Sequence, residues 1–338
     1  MNRLKMKLLL ALGLAFSLCS CQSGDPSAKN PDYSHLLNSP PYAALTDSIS
    51  NDPDNVALIM KRALMLSQRD LHKAATADYK KAWELTGDEG VAFEYASNLL
   101  LASQVEKAKQ VLEEADRKFP DNTEFSRRLA EIYLQNGEYR KAIARYNTII
   151  SRDSTHFEAW FDKGNLLLKM GDTAAAVTAW ERSFAILPIN YTGIALANIY
   201  TAQKNPRALQ ICNILLERDT AQIQTDAVYM KGVYYSEMND DDKAFRQFEE
   251  CIRRDWKMTD AYIEKGIIFY ERKKYKEALE TFNMAATVSN TDADAYYWLG
   301  RCYEATGKKA DAITNYQRAL ALDESLTEAR EALSRLNS

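Results

Sequence analysis

A small residue returns about every 34 positions along most of the chain, and that recurrence leaves few folds open. Gly232, Gly266 and Gly300 stand 34 residues apart, and Ala63, Ala96, Ala130, Gly164 and Ala197 extend the series toward the amino end. A second series runs about twelve residues behind the first: Ala75, Ala108, Ala142, Ala176, Ala208, Ala244, Ala278 and Ala312. Four residues further come Tyr79, Leu112, Tyr146, Trp180, Phe248, Phe282 and Tyr316. A small side chain on each of two antiparallel helices lets them approach where a leucine would hold them apart, and the ring fills the space so opened. A glycine inside a helix costs roughly 1 kcal/mol relative to alanine, so glycines kept in register imply a packing return. Each unit is then two helices of about 12 to 14 residues, roughly 20 Å long. One such unit leaves its apolar face wet, so neighbours must stack.

The stretch Phe157 to Pro188 shows the template in full. Counting Phe157 as position 1, it places Trp160, Gly164, Leu167, Gly171, Ala176, Trp180 and Pro188 at positions 4, 8, 11, 15, 20, 24 and 32. That pattern resembles the tetratricopeptide repeat, a helix-turn-helix unit. The resemblance implies an all-α fold: a right-handed solenoid of about eight repeats, with an N-terminal half-repeat and a C-terminal capping helix. Gly137, Gly171 and Gly307 fall at position 15, where the first helix must stop and turn. The fifth copy, about 190–224, is irregular. It lacks the glycine at position 8, and Asn205 and Pro206 mark its turn.

The amino terminus is different in kind. Arg3, Lys5 and Lys7 precede an apolar run from Leu8 to Leu18, too short for the roughly 20 residues that span a bilayer. It reads as a signal peptide. Leu18, Cys19, Ser20 and Cys21 resemble the lipobox of bacterial lipoproteins, which implies acylation of Cys21 and attachment to a membrane by several acyl chains. The expected organisation is a lipoprotein signal peptide over 1–20, a flexible Ser/Pro/Asn/Asp-rich tether over 21–41, a capping helix over 42–54, the repeat array over 55–325 and a final capping helix over 326–338. Losing Arg3, Lys5 and Lys7 with the signal peptide moves the formal charge from −4 to −7, which argues against a nucleic-acid partner.

Catalytic chemistry finds no foothold. The three histidines, His35, His72 and His156, share no metal-ligand spacing, and no phosphate loop or GxSxG turn is present. No metal, no cofactor and no enzyme activity are expected. Cys212, Cys251 and Cys302 are scattered over different repeats, which is no disulfide framework.

The resemblance implies instead a binding groove lined by positions 2, 5, 6, 9, 12 and 13 of each first helix. Position 5 holds Phe93, Arg127, Phe161, Tyr229 and Tyr297 in five of the copies; Asn165 and Asn198 hold position 9 in consecutive copies, and Tyr270 holds position 12. Rings with amides suit an extended peptide, because the rings cover apolar side chains while asparagine pairs with backbone N–H and C=O. Repeat proteins that clamp an EEVD tail carry a lysine at position 5, and no copy here does. The expected function is a lipid-anchored scaffold of the cell envelope, at the periplasmic face or the outer-membrane surface, binding an envelope protein or peptide through its concave face. The alternative is capture of a surface glycan by ring stacking on Phe93, Phe161, Tyr229 and Tyr297.

Overall fold

The computed structural model describes residues 32–337. The expected signal peptide, Cys21 and the first part of the expected tether lie outside the described residues. Every regular element among the described residues is a helix, nineteen in all. None is long and apolar enough to cross a membrane. The chain divides into two compact units, the first ending at Ala108 and the second beginning at Lys109.

The first unit carries α1 (Ser34–Leu37), α2 (Ala43–Asn51), α3 (Val56–Ser67), α4 (His72–Thr86) and α5 (Glu89–Leu101), and α6 (Val105–Lys118) begins at its end. Tyr33, Leu36 and Leu37, read as part of the tether, are half-buried, and the Leu37 carbonyl accepts from Thr46 Oγ1 at 2.8 Å. Arg62 binds both carboxylate oxygens of Asp78 at 2.7 Å and donates to Thr46 Oγ1 at 3.0 Å, which ties α2 to the first helix pair. Asn98 does the same for the next contact. Its amide donates to the His72 carbonyl and to Thr76 Oγ1 and accepts from Ser67 Oγ, linking α5 to α3 and α4.

The second unit continues with α7 (Glu124–Gln135), α8 (Tyr139–Arg152), α9 (Phe157–Lys169), α10 (Thr173–Ile186), α11 (Asn190–Ala202), α12 (Arg207–Arg218), α13 (Asp226–Glu237), α14 (Asp241–Arg254), α15 (Thr259–Glu271), α16 (Tyr275–Val288), α17 (Ala293–Ala305), α18 (Lys309–Leu322) and α19 (Thr327–Asn337). From α3 to α18 the helices read as eight first-and-second pairs, with α2 before them and α19 after.

The small residues act as their spacing predicts. A Cβ on Gly232 or Gly266 would stand 2.5 Å from the ring of Phe248 or Phe282, and one on Gly300 would stand 2.7 Å from Tyr316. On Gly164 it would collide with the Trp180 indole, whose N–H also donates to the Phe161 carbonyl at 3.2 Å. The irregular fifth copy is an ordinary helix pair, α11 with α12. Its close approach has moved to Gly193, four residues before Ala197, where a Cβ would meet Leu215 and Phe184 at 2.7 and 2.8 Å. The turn glycines at 137, 171 and 307 take positive φ, as do Asp70, Ser103, Lys204, Asn239 and Lys273 at the equivalent turns.

Two buried carboxylates staple consecutive repeats of this unit. Asp116 accepts from Arg152 at 2.6 Å and from Ser126 at 2.8 Å, while Asp219 accepts from Arg254 at 3.1 Å and from the backbone N–H of Ile223 and Gln224. Cys212, Cys251 and Cys302 are free thiols buried in the packing, and burial pushes each up to about 12.

Candidate functional site

The first helices of the pairs carry the expected groove residues. Phe93 lies half-buried on α5, in the first unit. The others belong to the second unit: Arg127 on α7, Phe161 and Asn165 on α9, Asn198 on α11, Tyr229 on α13, Tyr270 on α15 and Tyr297 on α17, all half-buried.

Arg127 is held within its own helix. Its Nε and Nη2 donate to Glu124 at 2.5 and 2.6 Å, and its Nη1 donates to Glu131 at 2.9 Å. Three charge-assisted bonds to acids three residues before and four after leave it little to offer a ligand.

Phe161 and Tyr229 lie against the same apolar cluster, built on Trp180, Phe184, Leu196 and Ile211. Phe161 meets Tyr191 edge-on at 4.3 Å between ring centroids, and Tyr191 keeps 46% of its surface exposed. Tyr229 packs on Phe248 at 5.6 Å, and burial, with Glu264 and Asp260 nearby, holds its hydroxyl well above the usual phenol range. Between Phe161 and Asn165 the helix presents Asp162. Burial pushes this carboxyl up to about 6, with Arg127 opposing and Glu131 and Glu158 adding to the rise. Asn165 and Asn198 stand at position 9 of consecutive repeats and are partly exposed. Among the described residues neither amide makes a hydrogen bond, so each keeps two donors and an acceptor for a ligand.

Tyr270 and Tyr297 converge on a residue that position-by-position reading passed over. Arg301 donates from Nη1 to the Tyr297 hydroxyl at 3.0 Å and from Nη2 to the Tyr270 hydroxyl at 3.3 Å. Its guanidinium carbon lies 5.2 Å from the Tyr270 ring centre, 5.3 Å from that of Trp298 and 5.9 Å from that of Tyr297. Such contacts stabilise a cation most where water is excluded. Arg301, Tyr270 and Tyr297 line a cleft of about 420 Å³ whose other wall is α19, with Glu328, Glu331 and Arg335. Glu304 sits between the walls and is already engaged: Arg335 binds it at 2.7 Å and the Tyr316 hydroxyl at 2.8 Å.

The structure thus sets Phe161 and Tyr229 on the borders of one apolar cluster and joins Tyr270 to Tyr297 through Arg301. It sets Phe93 in a separate unit and leaves Arg127 saturated. Tyr191, Asp162 and Arg301 occupy positions 2, 6 and 9 of the expected lining, so position is the sequence signal for them, whereas their residue types fall outside the set read from the sequence: Arg127 and rings at position 5, a ring at 12 and amides at 9. Among the described residues no cluster of His, Cys, Asp and Glu could hold a metal ion.

Comparison with known proteins agrees with this geometry. Models described as tetratricopeptide repeat match residues 99–162, 157–186, 225–255 and 293–326, and one described as TPR repeat matches 266–307. The chain is 22% identical over 303 residues to the BBSome complex member BBS4 of Bos taurus, covering 78% of this chain and 57% of that protein. It is 24% identical over 208 residues to a TPR repeat-containing protein of Methanocaldococcus jannaschii, covering 59% and 36%. The chain therefore spans little more than half of one of these relatives and about a third of the other. The solved C-terminal part of a TPR repeat-containing protein from Cytophaga hutchinsonii superposes with a TM-score of 0.53 at 18% identity, over 71% of this chain and 99% of that one. By fold, spacing and these matches, the helix pairs of this chain over residues 99–186, 225–255 and 266–326 are tetratricopeptide repeats.

Proposed function

We propose that this chain is a scaffold, without catalytic activity of its own, that binds a protein or peptide of the cell envelope along the face built from the first helices of its repeats, and that Cys21 anchors it to a membrane by acylation. The observation that carries the reading is the pair of unpartnered amides, Asn165 and Asn198, at the same position of neighbouring repeats. Beside them, Phe161 and Tyr191 present ring surface. A peptide laid across α9 and α11 would meet an amide at each helix for its backbone and rings for its side chains. Assembly with other proteins is what the printed name of the bovine relative records, as a member of a complex. Repeat scaffolds of this kind gain affinity from many modest contacts rather than from one deep pocket.

Glycan capture by ring stacking on Phe93, Phe161, Tyr229 and Tyr297 loses support at two of its four rings. Tyr229 packs against Phe248, and Tyr297 is engaged by Trp298, Tyr316 and Arg301, so neither offers a free flat face.

The test is crosslinking and affinity capture of the tagged full-length protein from its own membranes, beside the double variant Phe161→Ala, Asn165→Ala. A set of partners lost in the variant supports the reading. Partners captured equally by both place the contact on another face, and a Cys21→Ser protein that stays in the membrane fraction after salt washing removes the anchor from the proposal.

A further inference from the structure

The cleft between α17 and α19 holds an arginine in an unusual setting. A half-buried guanidinium commonly faces a carboxylate, because an uncompensated charge away from water is costly. Among the described residues no carboxylate comes within ion-pair distance of Arg301. Three rings and two hydroxyl oxygens surround it instead. Of its five N–H groups, two hydrogen bonds account for two. Because each tyrosine hydroxyl accepts from the guanidinium, its own proton is left to donate, and neither has an acceptor among the described residues. One wall of the cleft is therefore rich in donors and short of acceptors.

The opposite wall carries, beside Arg335 engaged with Glu304, two carboxylates open to a cation. Glu331 on α19 has neither a hydrogen-bond nor an ion-pair partner among the described residues, and Glu328 receives only the Thr327 hydroxyl at 3.1 Å. Glu304 cannot serve, since Arg335 and Tyr316 already satisfy it.

We propose that this cleft binds a zwitterionic peptide end, its carboxylate held by Arg301, Tyr270 and Tyr297 and an ammonium held by Glu328 and Glu331. The proposal rests on the reading of the first-helix face as the surface that binds proteins, and it identifies one subsite of that surface. A carboxylate fits the donor wall because its two oxygens match the arginine fork and have lone pairs to spare for the hydroxyls. A phosphate would bring extra negative charge toward the two glutamates. A lysine at the end of a chain carries both required groups on one residue, and about 420 Å³ lies within the range that holds ligands of that size.

The experiment is calorimetric titration of the full-length protein with acetyl-Ala-Ala-Lys bearing a free carboxylate. Three further probes are its carboxamide, the norleucine analogue with a free carboxylate, and acetyl-lysine alone. Binding of the first peptide should weaken about tenfold on amidation, a difference of about 1.4 kcal/mol, and by a smaller factor on replacement of lysine with norleucine. Arg301→Gln should erase the preference for acid over amide. The pair Glu328→Gln, Glu331→Gln should erase the preference for lysine over norleucine and keep the other. Because each preference is a ratio within one protein, a partly unfolded variant cannot imitate the result. Equal binding of acid and amide by the unaltered protein, or no binding of any probe at millimolar concentration, overturns the proposal. Acetyl-lysine binding more tightly than the tripeptide overturns the peptide as its source. Partner capture that depends on Phe161 and Asn165 but not on Arg301, with no peptide binding, leaves the scaffold reading standing and removes only the subsite.

Discussion

Arg127 and Arg301 bear the same group on the same face of the second unit, yet their surroundings differ completely. Arg127 is closed into a ring of carboxylates by Glu124 and Glu131 on its own helix. Arg301 has rings and hydroxyls around it, drawn from a helix 31 residues earlier as well as from its own. The lesson is that charge on a repeat surface marks a binding site only when local acids do not neutralise it. In the third repeat the chain satisfies its own arginine. In the eighth, among the described residues, its arginine has hydroxyls and rings but no carboxylate partner.

The largest effects expected concern the packing that both regions share. Gly164→Ala and Gly300→Ala should each destabilise the fold by about 1–3 kcal/mol, since the added methyl must displace a buried ring, Trp180 or Tyr316. Thermal unfolding followed by circular dichroism measures this. The two should part company in binding: Tyr316 also holds Glu304 at the cleft, so Gly300→Ala alone should alter the acid-over-amide preference. An unaltered preference would mean that the ring and the cleft are uncoupled.

A smaller effect is expected from exchanging the two arginines' roles. Arg127→Gln should change binding of acetyl-Ala-Ala-Lys less than about twofold, against about tenfold for Arg301→Gln. Its cost to stability should stay below about 1 kcal/mol and shrink in high salt, because Arg127 is more than a third exposed. Equal effects of the two substitutions on binding would break the comparison.

The smallest expected effect is one of pH, at Asp162 beside Arg127. Burial raises its folded pKa to about 6, above the roughly 3.9 of an unfolded aspartate, so folding favours the neutral form. Relative to a permanently neutral side chain, the penalty is absent below pH about 4, grows between about 4 and 6, and is complete above about 7. Asp162→Asn should therefore match the unaltered protein near pH 4 and exceed its stability by roughly 1 kcal/mol at pH 7.5, after discount for solvent screening. A stability difference independent of pH would show that Asp162 does not titrate in this range.

Much of this architecture is readable from spacing alone, because the small residues and their rings make the same contact in successive repeats. Gly266 and Phe282 sit sixteen residues apart in the chain and meet as that interval predicts. The fifth repeat blurred for a physical reason: its close approach uses Gly193, one helical turn before the template position, and contacts Phe184 of the preceding repeat as well as Leu215 of its own. The saturation of Arg127 was legible too, since Glu124 and Glu131 lie at helical spacing from it, but only if charge pairing is weighed together with position. The setting of Arg301 was not. It depends on Tyr270 from the neighbouring repeat and on how α19 closes the cleft, and an arginine with a glutamate three residues later reads in one dimension as an ordinary solvated helix face.

The three thiols of the array have a consequence for how the molecule behaves in oxidising surroundings. With burial holding each near a pKa of about 12, only about one in 10⁵ would be ionised at neutral pH, and it is the thiolate that attacks a disulfide. In the folded array the three thiols are therefore poor nucleophiles, and a cysteine introduced at an exposed position, such as that of Lys273, should take a thiol-reactive label well ahead of them.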